Sequence, residues 1–146
     1  MQSGTRKNSL ELGSQISRYE IREILGIGGF GITYKAWDPK FKRLVAIKEY
    51  MPVDTAGRAI DSISVHANES QQTEYQYGLS QFIQEAQTLA TLRHQNIVIA
   101  YDYVEANNTA YLVMEYVQGQ TLSQLLKQQG KLPEQELKAI VKAILI

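Results

Sequence analysis

The sequence predicts an α+β fold, a five-stranded antiparallel sheet with one packing helix. Three observations predict it. Five short segments rich in β-branched and aromatic residues are separated by turn signals. One segment, Leu79 to Leu92, instead carries its apolar residues at helical spacing. The order is three strands, one helix and two strands, so the helix can cover part of one face of the sheet.

Residues 1–18 are dominated by Ser, Gln, Gly, Asn and charged side chains, which predicts a disordered polar tail. Tyr19 to Leu25 reads as the first strand and Ile32 to Trp37 as the second, a hairpin with a glycine-rich tip. Asp38-Pro39-Lys40 is a turn signal. Leu44 to Tyr50 is the third strand, and Pro52 ends it because proline has no N–H for the ladder. Residues 51–78 form an extended polar loop, with room for a small hairpin around Ile60 to Val65. In the helix Leu79, Phe82, Ala86 and Leu89 mark the packed face.

His94-Gln95-Asn96 breaks the helical pattern. Ile97 to Val104 and Ala110 to Val117 are the fourth and fifth strands, joined by a turn over Glu105 to Thr109. Residues 19–117 therefore read as one unit and 118–146 as the start of another. Thr121 to Gln129 reads as a short helix closed by Gly130, and Pro133 sits in the first turn of a second helix. Leu137, Ile140, Val141, Ile144 and Leu145 give that last helix an apolar stripe, which marks a missing partner or an aggregation liability.

Composition narrows the function. Fifteen basic and fifteen acidic residues leave no net charge, which argues against nucleic acid or a charged membrane surface as partner. There is no cysteine, so disulfide and thiolate chemistry are excluded. His66 and His94 are far apart, which makes a histidine metal site a poor reading. No run approaches the roughly 18 apolar residues of a membrane span, and no signal-like segment opens the chain. A soluble cytoplasmic protein is the expectation.

The chemistry concentrates between Gly26 and Lys48. Gly26, Gly28 and Gly31 give G-x-G-x-x-G, with Gly29 as a fourth glycine. Such backbone lets amide N–H groups approach phosphate oxygens closely. Alone the pattern also fits a flexible hairpin tip. A dinucleotide fingerprint requires a helix after the glycines, whereas Ile32 to Trp37 reads as strand. A Walker loop requires Gly-Lys-Ser/Thr, whereas Gly31 is followed by Ile32. A glycine hairpin with a lysine on the next strand does match.

Strand alternation puts Lys48 on one face with the small Ala46, leaving room for a flat ring, and Val45 and Ile47 on the other. Taken without the glycines, Lys48 reads as a surface lysine; with them, it reads as a phosphate contact. Glu85 falls within the apolar stripe between Phe82 and Leu89, where an unpaired charge is costly, so a Glu85–Lys48 ion pair is expected. The alternative places Glu85 at the edge of the stripe, facing water. Leu112 to Val117 runs from strand into linker and could offer backbone groups to a base.

These residues together resemble the small lobe of the eukaryotic-type Ser/Thr protein kinases, and the bacterial members most closely. The resemblance covers residues 19–146 and implies ATP as the nucleotide. It makes Gly26 to Gly31 the glycine-rich loop, Lys48 in V-A-I-K the phosphate-anchoring lysine and Glu85 in F-I-Q-E-A its helix partner. It places Leu25 and Ala46 against adenine, Met114 before the hinge, and Glu115 to Val117 as the hinge. Leu92 to Val98, L-R-H-Q-N-I-V, resembles the family's link from the helix to the next strand. Thr33 stands where valine is commoner, and the connection after Lys48 is long.

The family's H-R-D and D-F-G segments are not in this sequence, whose aspartates are Asp38, Asp54, Asp61 and Asp102. No catalytic residue is therefore assigned. Magnesium is implied for a complete enzyme, with no protein ligand here. The expectation is a truncated kinase, inactive alone, whose complete form phosphorylates protein hydroxyls. The alternatives are a non-catalytic nucleotide-binding or protein-docking module, and a split kinase completed in trans.

Overall fold

The computed structural model describes residues 8–92 and 97–117. The helices expected after Gly119, the apolar stripe from Leu137 to Leu145, and His94 to Asn96 lie outside the described residues. Contacts divide the chain into two units, Met1–Leu92 with Ile99–Tyr116, and Arg93–Val98 with Val117–Ile146. Everything in this subsection belongs to the first.

The strands are β1 (Gln15–Ile16), β2 (Tyr19–Ile27), β3 (Gly31–Asp38), β4 (Arg43–Tyr50), β5 (Ala56–Arg58), β6 (Val65–Ala67), β7 (Ala100–Ala106) and β8 (Thr109–Glu115); one helix, α1 (Gln72–Thr91), lies between β6 and β7. The main sheet is antiparallel in the order β1-β2-β3-β4-β8-β7. Five of its strands are those the sequence predicts; the sixth is the two-residue β1. A separate hairpin, β5-β6, is the small one anticipated in the loop.

The turns follow residue chemistry. Asn107 and Asn108 both adopt positive φ, 57° and 61°. Asparagine tolerates that region, and two such residues in a row suit the twist of the β7-β8 hairpin. Asp38 closes the β3-β4 hairpin by accepting the N–H of Lys40 at 3.0 Å and the Arg18 guanidinium at 2.8 Å. The guanidinium bond is the main reason its pKa lies below the ordinary carboxylate value.

Alternation divides the sheet into two faces. On one, Ile21, Ile32, Tyr34, Ala36, Val45, Ile47, Tyr111 and Val113 are buried together. Leu10 and Ile16 from the N-terminal segment and Ala56, Val65 and Ala67 from the small hairpin belong to the same cluster. On the other face Ala100 and Leu112 pack with Ala86 of α1, flanked by Phe82, Leu89, Tyr103 and Met114.

Two expectations are corrected here. The polar tail predicted to residue 18 is not all tail: Leu10 and Ile16 are each 1% exposed, and the Leu10 N–H donates to the Tyr34 hydroxyl at 3.0 Å. A sheet has two faces to bury, and one helix covers only part of one. The N-terminal segment and β5-β6 supply the second cover. The loop predicted to reach residue 78 ends early, because α1 starts at Gln72. Gly78 lies inside α1, where the Tyr50 hydroxyl and ring rest against it and leave no space for a Cβ. The Tyr50 hydroxyl completes that contact by donating to the Tyr75 carbonyl at 3.1 Å.

Candidate phosphate-binding cleft

The site grows from one register row. Gly26 pairs with Thr33, Thr33 with Lys48, and Lys48 with Leu112. Directly opposed residues project to the same side of a sheet. Ala46, two residues before Lys48, is opposite Lys35 and Met114 and shares that side. The face thus carries Gly26, Thr33, Lys35, Ala46, Lys48 and Met114, as the alternation of β4 predicts.

Lys48 and Lys35 share this face, and they differ. Lys35 is engaged: its Nζ lies 2.8 Å from the Glu23 carboxylate and 5.6 Å from the centre of the Tyr116 ring. Its hydrogen bond to Glu23 raises its pKa above the ordinary lysine value. Lys48 is exposed, and among the described residues no carboxylate lies within ion-pair distance of it.

The expected Glu85–Lys48 ion pair is therefore not formed. Glu85 is exposed, and the buried side of α1 narrows to Tyr75 and Ala86. Phe82 and Leu89 are only partly buried, so the stripe is narrower than its apolar residues imply, and Glu85 falls on its flank. The two side chains still line one cleft of about 620 Å³, together with Gly29, Phe30, Tyr50 and Phe82. Sequence reasoning missed Asp54, Glu74 and Tyr77, which complete the wall near α1. Nothing in their local pattern marks them, since they meet only when α1 extends back to Gln72.

Among the described residues the one glycine at positive φ is Gly13, at 93°, so Gly26, Gly28, Gly29 and Gly31 use no left-handed backbone. Gly31 is required by close approach, because a Cβ there would overlap the Glu49 carbonyl of β4. Gly26 and Gly29 have nothing within 4 Å of a Cβ position. Gly28 donates its N–H to the Gly31 carbonyl at 2.9 Å and closes the tip.

At the far end of the face, Leu25 sits at a bulge of β2 and is 42% exposed. Met114 and Glu115 end β8 half-buried, and the Glu115 N–H is already donated to the Ile99 carbonyl at 2.8 Å. Glu115 therefore has no backbone donor left for a base. Val117 falls in the second unit and is exposed. Among the described residues no group of three or more His, Cys, Asp or Glu side chains converges on a possible metal position. No described helix is long and apolar enough to cross a membrane.

The protein kinase domain family model matches residues 19–146. The serine/threonine-protein kinase PrkC of Bacillus subtilis (strain 168) is 34% identical over 134 residues, which is 91% of this chain and 18% of PrkC. The serine/threonine-protein kinase PknB of Mycobacterium leprae (strain TN) is 37% identical over 128 residues, 85% of this chain and 18% of PknB. A solved structure described as PpkA-294 in its apo form is 40% identical with a TM-score of 0.83, over 90% of this chain and 47% of that one. The chain spans less than a fifth of the length of these curated relatives and about half of the solved chain.

Proposed function

The chain belongs to the protein kinase domain family, and on that premise we propose that it is the ATP-gripping small lobe of a serine/threonine kinase. One observation carries the reading: an exposed lysine with no carboxylate partner among the described residues, in register with Thr33 and Gly26 on one sheet face. An ammonium at contact distance from a phosphate gains about 1 kcal/mol in bulk water and about 4 kcal/mol near a protein surface. Lys48 keeps that capacity for a ligand because Glu85 does not consume it. Lys35, already paired with Glu23, does not.

In this reading the amides of Gly26 to Gly31 approach the phosphates, and Lys48 supplies the fixed positive charge. Ala46 and Leu25 flank the adenine, Thr33 covers it from β3, and Met114 and Glu115 border its edge. Glu85 lines the same cleft and would orient Lys48 when phosphate is bound. ATP supplies the transferable phosphoryl group. The transfer itself requires residues to orient a hydroxyl and hold magnesium, and the sequence contains no H-R-D or D-F-G segment. The complete enzyme would act on protein serine and threonine hydroxyls in the cytoplasm, while these residues alone grip the nucleotide without transferring phosphate.

Titration calorimetry with magnesium-ATP tests the grip. Weak binding that drops at least about tenfold in Lys48→Ala is expected for a charge-assisted phosphate contact of about 1.5–3 kcal/mol. Equal binding by both proteins contradicts the role given to Lys48.

A further inference from the structure

The tip of the glycine loop is tied to the chain that follows β4. Met51 donates its N–H to the Phe30 carbonyl at 3.1 Å, and Val53 donates its N–H to the Gly29 carbonyl at 3.0 Å. With the Gly28–Gly31 bond, carbonyls of three successive residues at the tip, Gly29, Phe30 and Gly31, are all engaged. The donors are themselves held. Met51 is fully buried, and the Pro52 carbonyl accepts the N–H groups of Thr55 and Ala56 at 3.3 and 3.0 Å, closing a turn around Val53. The Phe30 side chain is 80% exposed, so the loop tip is not anchored by side-chain burial.

We propose that the backbone amides of Met51 and Val53 form a latch that positions the glycine loop over the cleft, making these two residues positioning residues for phosphate binding. The inference rests on the nucleotide reading of the cleft and extends it. A glycine-rich tip has more conformational freedom to lose than any other loop of its length. If the nucleotide had to order it, the apparent affinity would fall by the fraction of time the loop is competent. The latch orders it with groups of the chain itself. It also explains what the start of the long connection after Lys48 does: it turns back at Pro52 to reach the loop tip.

The turn supplies a clean test. Val53 is the second residue of a turn that begins at Pro52, a position that suits proline. Val53 is also 42% exposed. Val53→Pro therefore keeps the turn and deletes only the donor to Gly29, while Val53→Ala trims the side chain and keeps the donor. Residue-resolved hydrogen exchange and magnesium-ATP titration are run on both and on the unaltered chain.

We expect Val53→Pro to speed exchange at the Gly28 and Met51 amides and to weaken ATP about threefold to tenfold, the loss of one backbone hydrogen bond, with unfolding still a single cooperative transition. Val53→Ala should match the unaltered chain in all three. Exchange in Val53→Pro equal to that in Val53→Ala overturns the latch. Faster exchange with unaltered ATP affinity overturns its positioning role. Absence of ATP binding in every protein, the unaltered chain included, overturns the nucleotide reading and that role with it, whatever the exchange shows.

Discussion

Arg58 grips Glu49 through two parallel hydrogen bonds of 2.7 Å, with both side chains out of solvent. Glu49 is the immediate neighbour of Lys48 but points to the opposite face, where the Tyr34 hydroxyl also donates to it at 2.8 Å. The same guanidinium donates to the Asn8 carbonyl at 2.6 Å and the Ile63 carbonyl at 2.8 Å. One cation thus ties the N-terminal segment and the small hairpin to β4. Burial opposes the charge on Arg58, but the hydrogen bonds and negative charge of Glu49 outweigh it and hold its pKa above the ordinary value.

Arg58→Met should destabilise the fold by about 3–5 kcal/mol, because it strands a buried carboxylate. Pairing it with Glu49→Leu should recover much of that loss, since a buried ion pair and an apolar pair of similar volume are often close in stability. Urea unfolding of the two single variants and the double variant measures the difference.

Gly78→Ala should destabilise α1 even though alanine is the better helix former by about 1 kcal/mol. The added methyl group meets the Tyr50 hydroxyl and ring, an overpacking cost of about 1–3 kcal/mol. In a Tyr50→Phe background the hydroxyl is gone and the same substitution should cost less. Thermal melts of the four proteins in that cycle give the coupling.

Within the glycine loop, Gly31→Ala should destabilise the chain and Gly29→Ala should not. A Cβ at Gly31 enters the Glu49 carbonyl, which belongs to the sheet and cannot step aside, whereas a Cβ at Gly29 meets open space. Denaturant midpoints for the two variants separate the cases.

Asp38 links stability to acid. Its folded pKa lies below the ordinary 3.8, chiefly through the Arg18 hydrogen bond, so the unfolded chain binds its proton more readily than the folded chain. The stabilisation is fully present above that ordinary value and is lost as pH falls through the folded pKa. Asp38→Asn should lower stability at neutral pH and flatten the acid limb of the stability profile. Unfolding midpoints from neutral pH down to about pH 3 check both parts.

The sequence made much of this legible wherever side-chain alternation sets the face. The five long strands, the Lys48–Ala46 face and the glycine tip follow from β-branched runs broken by Asp38-Pro39 and Asn107-Asn108. What stayed hidden depended on contacts distant in sequence. Leu10 and Ile16 are the sparse apolar residues of a polar segment, and only the uncovered second face explains why they fold in. The first turns of α1 were obscured because Gly78 is chosen for Tyr50 rather than for the helix. Glu85 carried the right helical phase, but phase does not give the width of the buried stripe, and the pair with Lys48 depends on that width.

The central claim is that the face carrying Gly26 to Gly31, Thr33, Ala46 and Lys48 holds a nucleoside triphosphate. Residue-resolved NMR titration of the isotope-labelled chain with magnesium-ATP tests it most directly. Shifts concentrated at Gly26, Gly28, Gly29, Gly31, Ala46, Lys48 and Met114 are expected, much reduced in Lys48→Ala. A spectrum that does not respond at those residues, or responds identically in Lys48→Ala, contradicts it.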